Sequence, residues 1–262
     1  RSYSVTGVQT CALPIFLGPV VANKESRVIK IRKIKLRQRN AINSQLLPGD
    51  ILLKRNDGDL TNLVIPKFWT HTGIYVGNLK MLNEYFDSLP MLHGLKPSKF
   101  IKKHYPKVYR KLFKLKDPII ESVTKKGVSV APLRNIATMD YFAALRPKLS
   151  KEDKFLSLVK AFDYFTLEYD YSFDLTQTNA LVCSGLIYKS FLSTPIKKGI
   201  RFEISELMGR PFFYPGDIVK KFDNECDNPG SELEFVLFYD SNNLHKKAFV
   251  STREEFRKTW ER

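Results

Sequence analysis

Two short segments, far apart in the chain, constrain its fold more than any other feature. In residues 69–77, His71 lies in a run of β-branched and aromatic residues that is typical of a strand. In residues 181–188, Cys183 begins an apolar run with helical periodicity. A helix N-terminus and a neighbouring imidazole both favour the thiolate, which is the nucleophilic form of cysteine. The two segments together indicate an α+β domain with the chemistry of a Cys-His hydrolase.

Neither residue identifies a site when it is taken alone. A lone cysteine is most often a small buried apolar residue, and a lone strand histidine is more often structural than catalytic. Three further motifs, however, lie in a regular order around the pair. A Pro-Gly-Asp sequence at residues 48–50 precedes His71, an Ile-Glu pair at residues 120–121 follows it, and a Tyr-Asp pair at residues 169–170 precedes Cys183.

This succession of motifs resembles the permuted papain-like amidases, the YiiX and YebB group of NlpC-type cysteine hydrolases. The resemblance covers roughly residues 46–220 and implies an antiparallel sheet packed on helices, with the nucleophile at a helix N-terminus. It implies that Cys183 attacks a carbonyl, that His71 accepts its proton and later protonates the leaving group, and that Glu121 orients the imidazole. Without the resemblance, Glu121 would be interpreted as a solvent-facing strand carboxylate.

The order of the residues is compatible with this interpretation. Papain-type enzymes usually place the nucleophile before the base, but a site is defined by geometry, so a circularly permuted chain can assemble the same one. The amide of Cys183, at a helix N-terminus, is a candidate oxyanion donor. Tyr75 and Tyr171 flank the motifs as candidate side-chain donors, although a packing role is expected of both.

The composition, with 43% hydrophobic and 13% aromatic residues in 262, predicts one globular catalytic domain with terminal extensions. Residues 1–15 resemble translated sequencing-adapter read-through and are predicted to be non-native, so that the native N-terminus and any signal peptide or anchor are expected to be missing. Residues 16–45 are predicted to form a basic arm, whose apolar spacing fits neither helix nor strand and for which a solvated linker is an equal alternative. Residues 46–222 are assigned to the hydrolase domain. Residues 223–262 are assigned to a C-terminal extension without chemistry of its own.

Residues 79–117 are predicted to be an insertion between the strands of His71 and Glu121. Within it, residues 96–116 carry nine Lys or Arg and no acid. Its apolar residues fall on one helical face; they are Ile101, Tyr105, Val108, Leu112 and Leu115. Pro106 predicts either a kink or a new helix start. We expect a helix packed on the domain with a solvated basic back, and the alternative is a helix lying on an anionic membrane.

Three other elements have local signals in the sequence. Ser150, followed by acids, predicts a helix that runs to about Leu167. The helix of Cys183 is predicted to run to roughly Leu192, before a proline. A second Pro-Gly-Asp sequence at residues 215–217 is predicted to be a turn into a strand.

Metal and nucleotide sites lack their usual sequence signatures. The three cysteines have no CxxC spacing, and no glycine-rich phosphate loop is present. The remaining histidines show no metal-site spacing either; they are His93, His104 and His245. We therefore predict an enzyme that needs no metal or cofactor.

The net charge of +16 predicts an acidic partner. Three partners fit: an anionic membrane surface, an anionic cell-wall polymer, or nucleic acid, of which nucleic acid is the weakest because no base-stacking pattern of aromatic residues is present. A location at the cell envelope or a membrane is favoured.

The predicted function is that of a cysteine hydrolase that cleaves an amide bond. The family resemblance implies that the amide belongs to a peptidoglycan-type peptide or a related acyl amide. One alternative is a thiol-dependent lipid hydrolase or acyltransferase at a membrane surface, because related permuted folds act on acyl lipids. The other is a non-catalytic binding module on the same scaffold. The presence of both Cys183 and His71 counts against this last alternative.

Overall fold

A computed structural model describes residues 33–57, 67–138, 140–207, 209–242 and 247–262. The predicted non-native segment, the first part of the predicted basic arm and His245 lie outside the described residues.

The centre of the fold is an antiparallel sheet of seven strands in the order β4-β3-β2-β1-β5-β8-β9. Its strands are β1 (Ile51–Arg55), β2 (His71–Tyr75), β3 (Pro118–Val123), β4 (Gly127–Pro132), β5 (Tyr141–Pro147), β8 (Leu233–Asn242) and β9 (Lys247–Ser251). A separate two-stranded sheet is formed by β6 (Ser205–Leu207) and β7 (Arg210–Phe212). The predicted α+β class is confirmed.

Helices cover the sheet and fill its connections. They are α1 (Leu36–Asn43), α2 (Leu79–Tyr85), α3 (Pro97–His104), α4 (Pro106–Phe113), α5 (Lys151–Asp163), α6 (Cys183–Phe191), α7 (Pro215–Glu225) and α8 (Arg253–Arg257). Short 3-10 turns lie at Pro90–Leu92, Leu133–Asn135 and Lys258–Trp260. None of the helices in the described ranges is long and apolar enough to cross a membrane.

Both faces of the sheet are buried. Because successive strand residues point to opposite faces, Leu53 belongs to the core under α5, α6 and α7, whereas Leu52 belongs to a second core under α1 and residues 133–137. This double burial explains why β1 begins with three consecutive apolar residues, Ile51–Leu53, and why residues 141–145 of β5 are also continuously apolar.

The first Pro-Gly-Asp sequence fixes the start of β1. The buried Asp50 carboxylate accepts hydrogen bonds from the Leu47 amide at 2.8 Å and from the Arg146 guanidinium at 2.8 and 2.9 Å. Gly49 has φ +94°, which favours glycine in this turn. The motif therefore ties the turn to β5 and lies outside the chemistry of the site.

The predicted insertion contains three helices, α2, α3 and α4, and a 3-10 turn, and α4 has a new start at Pro106. Proline has no backbone N–H, but this does not destabilise α4, because an N–H in the first turn of a helix has no intrahelical partner. Ile101, Val108 and Leu112 are buried in the core, while Tyr105 and Leu115 are partly exposed. The apolar face thus packs on the domain, as the sequence favoured, and all nine basic residues of 96–116 are exposed.

Three local predictions were wrong. Pro215 begins α7 instead of a strand, because the Asp217 carboxylate accepts from the Tyr214 amide at 2.7 Å and an acid favours a helix N-terminus. The predicted irregular arm contains α1, which is anchored by the buried Ile42. Helix α5 ends at Asp163, and Thr166 beyond it has φ +78°, which a helix cannot contain.

The predicted C-terminal extension is built into the main sheet. Strand β8 pairs with β5 along most of its length, and β9 completes the sheet edge. Phe256 of α8 is fully buried and packs against Trp69, at 6.0 Å between ring centroids. The residues after 222 are therefore part of the same folded unit as the hydrolase motifs.

Candidate active site

The candidate site lies where β2 and β3 separate. These strands pair only at Ile74–Ile120 and Tyr75–Ile119, so the end that carries His71 is open toward the N-terminus of α6. The Ser122 hydroxyl donates to the Leu181 carbonyl at 2.6 Å, which ties β3 to the segment that leads into α6.

His71 and Glu121 form a buried contact across this opening. Their Nε2 and Oε2 atoms lie 2.7 Å apart, and Glu121 is 2% exposed. Because Nε2 is engaged by the carboxylate, Nδ1 is the ring nitrogen that remains for the hydrogen bond between His71 and Cys183. The structure therefore brings the three predicted residues into one chain of contacts.

The surroundings of Cys183 favour its thiolate. Burial raises the pKa of the Cys183 thiol, but the positive charge and hydrogen bond of His71 lower it, and the backbone amides of Thr72 and Ser184 lower it further. The net effect is a pKa below the ordinary value of a cysteine. A strand amide and a helix N-terminal amide thus converge on one sulfur.

The other two residues shift in the complementary sense. Burial lowers the pKa of the His71 imidazole, but the Cys183 thiolate raises it and the net shift is upward, against the opposing charge of Lys54. Burial raises the pKa of the Glu121 carboxyl, but the hydrogen bond from His71 lowers it and the net shift is downward. The arrangement therefore favours alternating charges: carboxylate, imidazolium and thiolate.

Tyr169 is a site residue that the sequence reasoning did not select. Burial and the Cys183 thiolate raise the pKa of Tyr169 well above its ordinary value, so its hydroxyl stays protonated and the tyrosine lies within electrostatic reach of the sulfur. Of the two tyrosines considered instead, Tyr75 donates to Asn43 at 3.0 Å in the second core, and Tyr171 packs edge-on against Tyr169 at 5.1 Å. The Tyr-Asp pair at residues 169–170 is the sequence signal from which Tyr169 could have been selected.

Strand β4 positions the segment that carries Tyr169. The Val128 amide donates to the Leu167 carbonyl at 2.8 Å, and the Thr166 amide donates to the Val128 carbonyl at 2.9 Å. Gly127 has φ +62°, and a Cβ there would lie 1.9 Å from the Leu167 oxygen. Only glycine permits this approach of the two backbones.

A groove of about 990 Å³ borders Glu121. It runs along β4 and is rimmed by five cations: Lys54, Lys111, Lys125, Lys126 and Arg134. Since Glu121 is the one acidic residue in its lining, the groove has a strongly positive potential next to the site.

The described residues contain no group of three His, Cys, Asp or Glu side chains that could hold a metal ion. His93 and His104 are both exposed and stand apart from the site.

Comparison with known proteins identifies the family. The sequence model of the permuted papain-like amidase enzymes of the YaeF/YiiX, C92 family matches residues 45–244. A solved structure described as the metalloprotein YiiX from Escherichia coli O157:H7 is 18% identical over 79% of this chain and 97% of that chain, with a TM-score of 0.42. No curated protein matches the sequence. The chain belongs to the permuted papain-like amidase family, and it is an enzyme of the cysteine hydrolase class.

Proposed function

We propose that this enzyme cleaves an amide bond with Cys183 as nucleophile, His71 as general base and acid, and Glu121 as the residue that orients the imidazole. The observation that carries the proposal is the buried chain of contacts from Glu121 through His71 to a thiol of lowered pKa. Nucleophilic catalysis needs this pairing of an activated sulfur with a held proton carrier.

In the first half-reaction the Cys183 thiolate attacks the carbonyl carbon and forms a tetrahedral adduct with a C–S bond. The Tyr169 hydroxyl is a donor for the oxygen that becomes negative, together with the Cys183 amide at the start of α6. The imidazolium of His71 gives its proton to the leaving amine as the C–N bond breaks, which leaves a thioester.

In the second half-reaction water replaces the amine. Neutral His71 accepts a proton from water, hydroxide attacks the thioester carbonyl, and the C–S bond breaks to release a carboxylic acid and the thiolate. Glu121 holds the ring in one orientation through both steps, and its charge stabilises the imidazolium each time it forms. The enzyme therefore returns to its starting charges after one turnover.

For the substrate we propose a peptidoglycan-type peptide or a related acyl amide. The competing candidate is a thiol-dependent lipid hydrolase or acyltransferase, and it is favoured by the exposed cations of α3 and α4, one of which, Lys111, lines the groove beside Glu121. Both candidates use the same nucleophile and differ in the acyl donor.

An activity screen over peptidoglycan fragments, N-acyl amides and phospholipids tests both, with Cys183→Ala as the blank and Cys226→Ala as the matched control. We expect the parent and the control to release product, and a thioester adduct of the parent to appear by intact-protein mass spectrometry. Equal product from Cys183→Ala and the parent would overturn the assignment of the nucleophile. An unmodified sulfur with bound, uncleaved ligand would instead indicate a binding module.

A further inference from the structure

The outer side of the insertion carries a dense cluster of cations, here called the basic face. Its members lie on α3, on α4 and just after α4: Lys99, Lys102, Lys103, Lys107, Arg110, Lys111 and Lys114. All are exposed, and none forms an ion pair with any residue in the described ranges. Unlike most surface charge, the basic face has no interspersed acids, since residues 96–116 contain none.

Helix stability accounts for only part of this arrangement, because the cations in the last turns of α3 and α4 interact favourably with the helix dipoles but also repel one another. Lys107 and Lys111 stand four residues apart on α4, as do Arg110 and Lys114, and like charges at this spacing repel. The opposite side of the same helix is already occupied, because Val108 and Leu112 are buried in the core. The cations of α4 therefore face away from the core, and an anionic partner would offset their mutual repulsion.

An apolar side chain projects from the same region. Phe113, the last residue of α4, is 70% exposed and has its ring stacked 6.2 Å from Tyr109, over whose ring the Lys102 ammonium lies at 5.8 Å. Leu36 of α1 is 63% exposed and lines a groove that it shares with Lys114. Exposed apolar groups among cations fit a lipid surface, where the rings and chains enter the headgroup region.

We infer that the basic face, with Phe113 as an apolar anchor, docks the enzyme on an anionic lipid bilayer. A hydrated polyanion would use the cations but would leave Phe113 in water, so the aromatic residue is what distinguishes the bilayer. Lys111 belongs both to the basic face and to the rim of the groove beside Glu121. Docking therefore places that groove at the lipid surface, and this inference does not depend on the bond that the enzyme cleaves.

Co-sedimentation of the whole chain with vesicles tests the inference. The vesicles consist of phosphatidylcholine alone or of a two-to-one mixture with phosphatidylglycerol. Binding is measured at about 0.1 M and at about 0.5 M salt, because the screening length falls from about 10 Å to a few ångströms over this range. One variant removes five charges of the basic face: Lys102, Lys103, Lys107, Arg110 and Lys111, each changed to Gln. A matched control removes five exposed charges from other elements: Lys198, Arg201, Arg210, Lys247 and Lys258, each changed to Gln. Phe113→Ser tests the anchor, and thermal melting checks that each variant is folded.

We expect binding to the anionic vesicles alone, weakened at least tenfold by the basic-face variant or by high salt and unchanged in the control variant. Phe113→Ser should weaken binding roughly tenfold at both salt concentrations, because burial of an aromatic ring is not screened by ions. Absence of vesicle binding, or equal loss in the control variant, would overturn the inference. Equal affinity of the parent and of Phe113→Ser for soluble polyphosphate, without vesicle binding, would identify a hydrated polyanion as the partner instead.

Discussion

At about pH 6.5, iodoacetamide should alkylate Cys183 roughly tenfold faster than Cys226. Exposure alone would give the opposite order, since Cys183 is 4% exposed whereas Cys226 is partly exposed. The reason is ionisation. Burial raises the pKa of the Cys226 thiol, whereas His71 and two backbone amides outweigh burial and lower the pKa of Cys183.

The magnitude follows from the thiolate fractions. A cysteine with the ordinary pKa of about 8.5 is roughly 1% thiolate at about pH 6.5, and Cys226 lies below that fraction because its pKa is raised. Full ionisation of Cys183 would therefore give it an advantage of about a hundredfold or more in thiolate fraction. A thiolate of low pKa is a weaker nucleophile, and this lowers the expected rate ratio by roughly a factor of ten.

The pH dependence has a definite sign. The Cys183 thiolate is present above the lowered pKa of Cys183 and is lost as the pH falls through it. The His71 imidazolium is present below the raised pKa of His71 and is lost as the pH rises through it. The ratio of the Cys183 rate to the Cys226 rate should therefore be largest near and below the pKa of Cys183. It should shrink as the pH rises above that value, because Cys183 is then already ionised while Cys226 still gains thiolate.

The assay is peptide mass spectrometry of the folded protein after timed alkylation, from about pH 5 to about pH 9. His71→Ala should slow the alkylation of Cys183 about tenfold or more and leave that of Cys226 unchanged. Equal rates at the two cysteines, or no effect of His71→Ala, would refute the thiolate–imidazolium argument. Limited access of the reagent slows the reaction at every pH but does not move its midpoint, so a midpoint for Cys183 as high as that for Cys226 would also refute it.

Two further substitutions test the support of the site. Glu121→Gln should lower kcat/KM about 10- to 100-fold, which is less than the effect of removing Cys183 or His71, because packing still holds the imidazole ring. The control is Glu206→Gln, at an exposed position, and equal effects of the two substitutions would remove Glu121 from the site. Gly127→Ala should lower the free energy of unfolding by roughly 3 kcal/mol and reduce turnover, since its Cβ would strike the Leu167 carbonyl. Gly209→Ala is the control, because Gly209 has φ +75° and an added Cβ would meet no atom of the described part of the chain within 4 Å. It should cost only about 1 kcal/mol, and equal losses in a denaturant titration would show that the contact with Leu167 is unimportant.

The local elements of the site could be predicted because their signals are local. The β-branched run gave β2 with His71, and the apolar periodicity placed the start of α6 at Cys183. The cap at Ser150 was equally readable, and its hydroxyl accepts from the Asp153 amide at 3.0 Å. Each of these signals lies within a few residues of the structure that it determines.

The association of the elements was predictable only through the order of the family motifs. No local pattern around Glu121 predicts that β2 and β3 separate and that the Glu121 carboxylate therefore reaches His71. Tyr169 was missed for the same reason, because its segment is positioned by hydrogen bonds to Val128, about forty residues earlier in the chain. Long-range pairing of this kind leaves no period in the sequence.

The packing of the segment after residue 222 has a consequence for the candidate site. Trp69, two residues before His71, donates its indole N–H to the Thr259 hydroxyl at 2.8 Å and packs edge-on against Phe238 of β8 at 5.9 Å. Trp69 is fully buried, so the C-terminal segment encloses the start of the strand that carries the imidazole. In the proposed mechanism the imidazole must be held within a fraction of an ångström, so residues without chemistry of their own would contribute through the position of His71. The segment that the sequence assigned to an extension is for this reason a structural part of the catalytic domain.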